Sequence, residues 1–257
     1  MILTNALFQT RQLSRYNKGM NEEIIEKIIE VNRQFYQSFG NQFSATRGRI
    51  QSGVRKILER IGRDQSILDL GCGNGEFARQ LADAGHTAPY LGVDFSLPLL
   101  ENAMRVPEHF PAKFLALDIT EKEWSGISGQ YSIVTAFAVL HHIPGEETRL
   151  QILKNVYNYL APRGQFIFSN WQFLNSEKLR ARIQAWDVVG LKQAQVDEGD
   201  YLLDWRRGGQ GFRYAHHYNE EELSHLAEKS GFRILETFYS DGATGNLGLY
   251  QVWEKKG

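Results

Sequence analysis

The chain has 257 residues, of which 42% are hydrophobic, and this suits one α/β domain with a sizeable core. Its formal net charge of −1 gives no global electrostatic case for binding nucleic acid or a membrane surface, and no apolar run approaches the length of a membrane span. A single cysteine excludes an internal disulfide, and the first residues lack an apolar run long enough for a signal peptide, so we expect a cytoplasmic protein.

Two helices are predicted first in chain order. Residues 22–39 carry apolar side chains at helical spacing, and residues 54–61 repeat the pattern. From Ser66 onward, short apolar strands alternate with helices as far as "QFIFSNW", residues 165–171. This alternation predicts a Rossmann-like α/β fold, with a seven-stranded, mostly parallel sheet, an antiparallel last strand and helices on both faces.

The alternation stops at residues 175–212, which are polar and read as an insertion over the edge or mouth of the sheet. Asn219, followed by three acidic residues, predicts the start of a helix that precedes the last pair of strands. We therefore predict a single domain in four parts. These are an N-terminal helical cap (1–62), a core (63–174), the insertion (175–218) and a C-terminal helix with a strand pair (219–257).

The stretch "LDLGCGNGEF", residues 68–77, is the most informative motif. Gly71, Gly73 and Gly75 let the chain turn sharply between a strand and a helix and approach a ligand closely. A dinucleotide dehydrogenase needs its third glycine one residue later, where this chain has Glu76. With Asp69 before it, the motif resembles the first motif of class I S-adenosylmethionine-dependent methyltransferases, although a tight strand-to-helix turn alone would also explain the glycines.

The resemblance implies further cofactor contacts on the strands that follow. Asp94 ends the next predicted strand, where a carboxylate can accept hydrogen bonds from both ribose hydroxyls. Asp118 ends the third strand, where the family's acidic or amide side chain contacts the adenine amino group and the next residue, here Ile119, packs on the ring. Ala136 on the fourth strand completes the implied set. Cys72, inside the glycine loop, reads as a small packing residue.

Some kinds of methyl transfer are excluded by what the chain lacks. Cytosine C5 methylation uses a cysteine nucleophile, but the one cysteine lies in the glycine loop. Methylation of an exocyclic base amine usually shows a Pro-Pro-aromatic motif after the fourth strand, where this chain has "AFAVLHHIP". "VLHHI" resembles the small-molecule and tRNA-modification branches of the fold. On an extended segment His141 and His142 would point opposite ways, which favours a lining or packing role for His141 and no metal site.

Two motifs on either side of the predicted core indicate a narrower group within this class. "FYQSFGNQFSATR", residues 35–47, and "RYAHHY", residues 213–218, are similar to segments of the eukaryotic tRNA methyltransferases that act on 5-carboxymethyluridine at the wobble position. The departures in the first segment are conservative. "GDYLLDW" keeps Asp200 and Trp205 of a third segment but not its proline. The similarities together span roughly residues 32–230.

The resemblance implies carboxylate O-methylation, which needs no general base because the nucleophile is already an anion near neutral pH. Arg47 and Arg213 are expected to converge on the carboxylate, since the guanidinium fork binds carboxylates bidentately. Tyr36, Tyr214 and His216 are expected to orient cofactor or substrate. tRNA is the implied partner, and the eukaryotic enzymes also work with a small zinc-binding protein.

Other readings stay open. A methyltransferase acting on a small-molecule acid or hydroxyl would share everything from residue 66 to residue 171, and a non-catalytic cofactor-binding partner is a third interpretation. Basic side chains in and near the insertion predict either a solvated face or a tRNA contact. They are Lys178, Arg180, Arg182, Arg206 and Arg207.

Overall fold

A computed structural model of the protein describes residues 20–45, 50–206 and 208–257, without the side chains of residues 41 and 43–45. The first helix, α1 (Glu22–Ala45), begins after Asn21, whose Oδ1 accepts the Glu23 amide at 3.1 Å. Ile24, Ile28 and Phe35 lie on its buried face, as their spacing predicts.

A seven-stranded sheet forms the centre of the described chain, in the order β3-β2-β1-β4-β5-β10-β9. Its strands are β1 (Ile67–Leu70), β2 (Tyr90–Asp94), β3 (Ala112–Ala116), β4 (Tyr131–Phe137), β5 (Leu160–Trp171), β9 (Phe232–Ser240) and β10 (Gly248–Lys255). The first five strands run parallel, and β10 runs antiparallel to both β5 and β9. The predicted fold class is confirmed.

Helices cover both faces of this sheet. They are α2 (Ser52–Leu58), α3 (Glu76–Asp83), α4 (Leu97–Ala103), α5 (Glu146–Tyr159), α6 (Glu177–Arg180) and α7 (Glu220–Lys229). One apolar cluster joins the sheet to α5 and α7 through residues such as Leu153 and Leu226, and a second joins it to α2 and α3 through Ile57 and Leu81. Asn219 caps α7 as predicted, since its Oδ1 accepts the Glu222 amide at 2.8 Å.

The segment after β5 folds into a separate antiparallel sheet of β6 (Ile183–Gln184), β7 (Asp200–Trp205) and β8 (Gly211–His216). Its apolar side chains, including Leu202 and Tyr214, pack against Ile24 and Ile28 of α1. The "RYAH" sequence therefore lies in a strand, whereas the sequence suggested only a loop before α7. Strand β8 was not predicted because one side packs on α1, a partner far away in sequence.

Candidate cofactor and acceptor site

A cavity of about 220 Å³ opens at the carboxyl ends of β1, β3 and β4, beneath α1. Gly71 and Gly73 follow β1, Asp118 and Ile119 follow β3, and Val139 follows β4. Ligands in open α/β sheets bind at this edge, so this cavity is the candidate site.

The glycine loop is shaped for close approach of a ligand. Gly71, Gly73 and Gly75 have φ values of 64°, 56° and 76°, in the left-handed region that L side chains rarely adopt. A Cβ at Gly71 would lie 2.6 Å from Val139 Cγ2, and one at Gly75 would lie 2.8 Å from Ala103 Cα. A Cβ at Gly73 would meet nothing within 4 Å, so the backbone there borders open space in which a ligand fits.

Asp69 supports the loop from within the sheet. Its Oδ2 accepts the Tyr90 hydroxyl and its Oδ1 accepts the Thr135 hydroxyl, both at 2.6 Å. Burial raises the pKa of this carboxyl to about 6, against the lowering effect of both hydroxyls. Because both oxygens already accept hydroxyl groups, Asp69 holds β1, β2 and β4 in place at the bottom of the cavity.

Asp94 lies at the end of β2, directly behind Gly73. Its Oδ2 accepts the Gly73 amide at 2.9 Å and its Oδ1 accepts the Ser96 amide at 2.8 Å. Burial raises the pKa of Asp94 to about 6, although the backbone hydrogen bonds oppose that effect. A third backbone hydrogen bond comes from Phe95, so of the roughly four lone-pair sites of a carboxylate about one is left for a further donor such as a ribose hydroxyl.

Asp118 is held by an arginine that the sequence did not single out. Arg33 Nη2 of α1 lies 2.9 Å from Asp118 Oδ2, and the Thr120 amide and hydroxyl both donate to Oδ1. Burial alone would raise the pKa of Asp118, but hydrogen bonds from Thr120 and Arg33 hold it below its ordinary value. Asp118 is therefore an ionised acceptor at the far end of the cavity, beside Ile119.

The two adjacent histidines separate in role. Leu140–His142 forms a 3₁₀ turn, not an extended segment, and the two imidazole rings lie 4.2 Å apart. His141 is buried, and its Nδ1 accepts the Trp171 amide at 3.3 Å. His142 lines the cavity, and its Nε2 lies 2.8 Å from the hydroxyl of Tyr36, which also lines the cavity. The expectation that neighbours point opposite ways was wrong because the chain turns.

The residues expected to orient substrate lie in two different places. Arg213 is 6% exposed and is not among the residues that line the cavity; its guanidinium lies over Trp171 at 4.4 Å and over Phe35 at 5.6 Å from the ring centres. The side chains of Tyr214 and His216 do not reach the cavity. Both bond to Asp200 Oδ1, at 2.7 and 2.6 Å, inside a buried polar network.

Ala136, another predicted residue, also lies away from the cavity. Ala136 is fully buried in the core, and the cavity is lined instead by Phe137 and Ala138, the residues that follow it. The side chain alternation of a strand places Ala136 on the face away from the opening. Arg47 lies outside the described residues.

The cavity-lining residues of α1 form a pattern that can be recognised in the sequence. Ile29, Arg33 and Tyr36 recur at helical spacing and all line the cavity, so polar residues on a second face of the helix mark the site. Cys72 is buried as expected, and burial together with Asp69 and Asp94 raises the pKa of its thiol, which leaves it a poor nucleophile. In the part of the chain that the structure describes, no group of three metal-ligating side chains occurs and no helix is long and apolar enough to cross a membrane.

The comparisons with known proteins agree with this geometry. Residues 43–237 match the family described as "Methyltransferase domain", which is well over half of the chain. The chain belongs to this family, and it is a class I methyltransferase that depends on S-adenosylmethionine.

Three relatives show the range of the resemblance. The tRNA (carboxymethyluridine(34)-5-O)-methyltransferase of Schizosaccharomyces pombe is 24% identical over 84% of this chain and 94% of its own. The carboxy-S-adenosyl-L-methionine synthase of Campylobacter concisus is 28% identical over 73% of this chain and 78% of its own. A methyltransferase structure from Methanosarcina mazei has a TM-score of 0.62 at 23% identity, over 78% of this chain and 97% of that one, which shows the fold alone.

Proposed function

We propose that this enzyme methylates a carboxylate oxygen, and that the acceptor is the 5-carboxymethyl group of a wobble uridine in tRNA. One observation carries the proposal. Arg213 is a buried arginine whose guanidinium lies over Trp171, the residue that ends β5 at the same edge of the sheet as the cavity.

The surroundings of Arg213 suit a carboxylate. Phe35, which it also contacts, lies on the buried face of α1 and is the sequence neighbour of Tyr36 in the cavity wall. An aromatic face fixes the plane of the guanidinium and so keeps its fork of N–H groups in one orientation. That fork is complementary to the two oxygens of a carboxylate.

The cofactor side of the mechanism follows from the strand ends. Gly71 and Gly73 let the backbone approach the ligand, Asp94 would accept the ribose hydroxyls, and Asp118 with Ile119 would hold the adenine. S-adenosylmethionine, when bound, supplies an activated methyl group on a sulfonium. The chain's residues then act by orientation and by excluding water, because positioning can contribute about 7–11 kcal/mol to such a step.

No residue needs to remove a proton from this acceptor. A carboxyl group with a pKa near 4 is already ionised at neutral pH, so Arg213 can act by holding it in line. At saturating cofactor, activity on the carboxylate should therefore not fall toward acid pH in the neutral range, as it would if a general base had to deprotonate a hydroxyl acceptor.

The tRNA part of the proposal has two supports. One is the relative from Schizosaccharomyces pombe, whose name describes this reaction and whose length the chain nearly spans. The other is the exposure of Lys178, Arg180 and Arg206 in or beside the small sheet, where they can neutralise phosphates. Arg206 also pairs with Asp204 at 2.6 Å, which reduces its weight.

A small-molecule acid is the second candidate. Its support is the cavity wall, in which Ile29, Val54 and Leu99 are apolar, together with relatives whose names describe small-molecule chemistry. This candidate uses the same cofactor residues and the same Arg213.

The deciding assay supplies the purified protein with labelled cofactor and three acceptors in parallel. These are tRNA carrying 5-carboxymethyluridine, the same tRNA carrying uridine, and a panel of free carboxylic acids. We expect methyl transfer to the first tRNA only. Equal transfer to both tRNAs, or transfer to a free acid alone, would reject the wobble-uridine acceptor.

Replacing Arg213 tests the carboxylate contact. Arg213→Ala should lower kcat/KM by roughly 10²-fold or more, since a charge-assisted hydrogen bond contributes about 1.5–3 kcal/mol and misalignment adds to that loss. Arg213→Lys should rescue poorly because an ammonium cannot reproduce the fork. Cofactor affinity, measured by calorimetry, should stay nearly unchanged.

Arg233→Ala is the matched control, because Arg233 is exposed and pairs with Glu254 on the far strands. Full activity in Arg213→Ala, with the control also active, would remove Arg213 from the acceptor site. A loss of folding in Arg213→Ala would be seen as a lowered Tm. In that case Arg213→Lys, which keeps the charge and most of the packing, decides whether activity depends on the guanidinium.

A further inference from the structure

A continuous chain of hydrogen bonds runs from the buried polar network to the cavity. Arg149 of α5 starts it, since its Nε donates to the Ile143 carbonyl at 2.9 Å and its Nη2 donates to the Tyr214 hydroxyl at 3.0 Å. Asp200 Oδ1 accepts the same hydroxyl at 2.7 Å. These contacts fix strand β8 relative to the turn that carries His142.

Asn32 of α1 fixes the backbone of β8 a second time. Its Oδ1 accepts the Tyr214 amide at 2.8 Å, and its Nδ2 donates to the carbonyls of Tyr214 and His142 at 3.3 and 3.1 Å. The Tyr214 carbonyl is thereby held 2.8 Å from His142 Nδ1.

This carbonyl decides the tautomer of His142. A carbonyl oxygen only accepts hydrogen bonds, so the proton of the neutral imidazole must lie on Nδ1. Nε2 is then an acceptor, and the Tyr36 hydroxyl, 2.8 Å away, donates its proton to it. With its one proton committed, every other hydrogen bond of the Tyr36 oxygen must be one that it accepts.

The order of the strands would place the Tyr36 oxygen near one end of a bound cofactor. Along the sheet, β3, β2, β1 and β4 carry in turn Asp118, Asp94, the glycine loop and His142. If Asp118 faces the adenine and Asp94 the ribose, the side nearest β4 faces the sulfur. On α1, Arg33 lies at Asp118 and Tyr36, about one turn later, lies at His142, which gives the same direction.

We propose that the Tyr36–His142 pair is an acceptor-only site beside the cofactor sulfur, which favours the cationic methyl donor over its neutral product. An oxygen that presents only lone pairs attracts a sulfonium and its polarised methyl hydrogens, and it gains little from an uncharged thioether. Tyr36 would thus help the product to leave. Asn32 and Arg149 are positioning residues for this pair, and the inference holds for either acceptor considered above.

Calorimetry with two ligands tests the charge preference. Tyr36→Phe should weaken binding of S-adenosylmethionine by about tenfold and change binding of S-adenosylhomocysteine by less than about twofold. Tyr159→Phe is the control, since its hydroxyl donates to the Trp124 carbonyl away from the cavity. An equal loss for both ligands, or no loss for either, would overturn the proposal.

The tautomer is tested without a binding measurement. Nitrogen-15 spectra of histidine-labelled protein near pH 8 should show His142 protonated on Nδ1 and unprotonated on Nε2. The signals of His142 are assigned because they are absent in His142→Asn and shift in Tyr36→Phe. A tautomer protonated on Nε2 would remove the basis for the acceptor-only oxygen, even if the protein binds the cofactor normally.

Discussion

At the residue scale, three aspartates end neighbouring strands, and their partners give each a different task. Asp69 accepts one hydroxyl from each neighbouring strand and holds the strands together, whereas Asp94 accepts backbone amides of the glycine loop and of the turn after β2. Asp118 is paired with Arg33. Burial raises the pKa of Asp94 to about 6, so the group expected to bind ribose titrates within a range that an assay can reach.

This makes cofactor affinity depend on pH in a definite direction. Ribose hydroxyls bind best to the ionised carboxylate, and in the free protein Asp94 is increasingly protonated below about pH 6. Binding must then release that proton, so affinity should fall as the pH falls, by at most about tenfold per pH unit. We expect calorimetry from pH 5 to pH 7 to show this decline.

Asp94→Asn is the matched variant, since it keeps the shape and removes the titrating group. It should weaken binding at pH 7 by about 1–3 kcal/mol, and the ratio of the wild-type to the variant affinity should shrink toward pH 5. The pKa of Asp69 is also about 6, mainly because of burial and only to a smaller extent because of the charge of Asp94, so most of its effect is common to both proteins. A ratio that is independent of pH would rule out Asp94 as the source.

Local sequence spacing predicted some of the site and missed the rest for a physical reason. The glycines and the aspartates at 94 and 118 follow strands directly, so their position is set by a few neighbouring residues. Arg33 and His142 enter the cavity only because α1 packs over the strand ends and residues 140–142 form a turn. Tyr214 and His216 were given direct contacts that tertiary hydrogen bonds with Asp200 prevent.

At the element scale, the two faces of α1 have different roles. Its apolar face packs against β7 and β8 through Ile24 and Ile28, and its polar face lines the cavity with Arg33 and Tyr36. Asn32 lies between the two faces and is bonded to backbone groups of Tyr214 and His142. The helix therefore covers the cavity only while these bonds hold it against the small sheet.

Removing Asn32 should loosen this arrangement. Asn32→Ala leaves the Tyr214 amide without its acceptor in a buried position, and we expect a loss of about 1–3 kcal/mol in the free energy of unfolding. Urea denaturation measures it, with Gln34→Ala as the control because Gln34 is exposed on the same helix and its amide donates to Glu30. Equal effects of the two changes would mean that Asn32 is not a structural tie.

The elements themselves were predictable to different degrees. The β/α alternation from β1 to β5 was predicted because buried strands are apolar runs of the right length between helices. The small sheet was not, because β6 has two residues and β7 and β8 owe their burial to α1 and to Phe173. Hydrophobic periodicity does not report a partner that lies more than a hundred residues away.

At the scale of the whole molecule, one buried ionic cluster connects the small sheet to the main one. Arg149 of α5 lies 3.6 Å from Asp200 of β7 and 3.2 Å from Glu222 of α7. His216 of β8 lies between the two carboxylates, at 2.6 Å from Asp200 and 2.9 Å from Glu222. Arg149, Asp200 and His216 are buried, whereas the Glu222 side chain is partly exposed.

Replacing Arg149 in this cluster should strongly destabilise the protein. Arg149→Met keeps most of the side chain's bulk and leaves Asp200 with a buried charge, so we expect a loss of about 3–5 kcal/mol in the free energy of unfolding. Arg233→Met, which breaks an exposed pair with Glu254, should cost at most about 1 kcal/mol. Urea denaturation at low and moderate salt separates these cases, because salt screens the exposed pair more strongly.

The contacts of Arg149 also predict which part of the protein unfolds first in Arg149→Met. Arg149 lies on the main sheet's helix α5, while Asp200 and His216 belong to the small sheet, so the loss should release the small sheet before the main one. Trypsin should then cut Arg149→Met after Lys178, Arg180 or Arg182 while residues 63–171 persist, whereas Arg233→Met should resist as the wild type does. Cleavage spread evenly over both sheets would mean that the cluster stabilises the fold as a whole and does not specifically join its two parts.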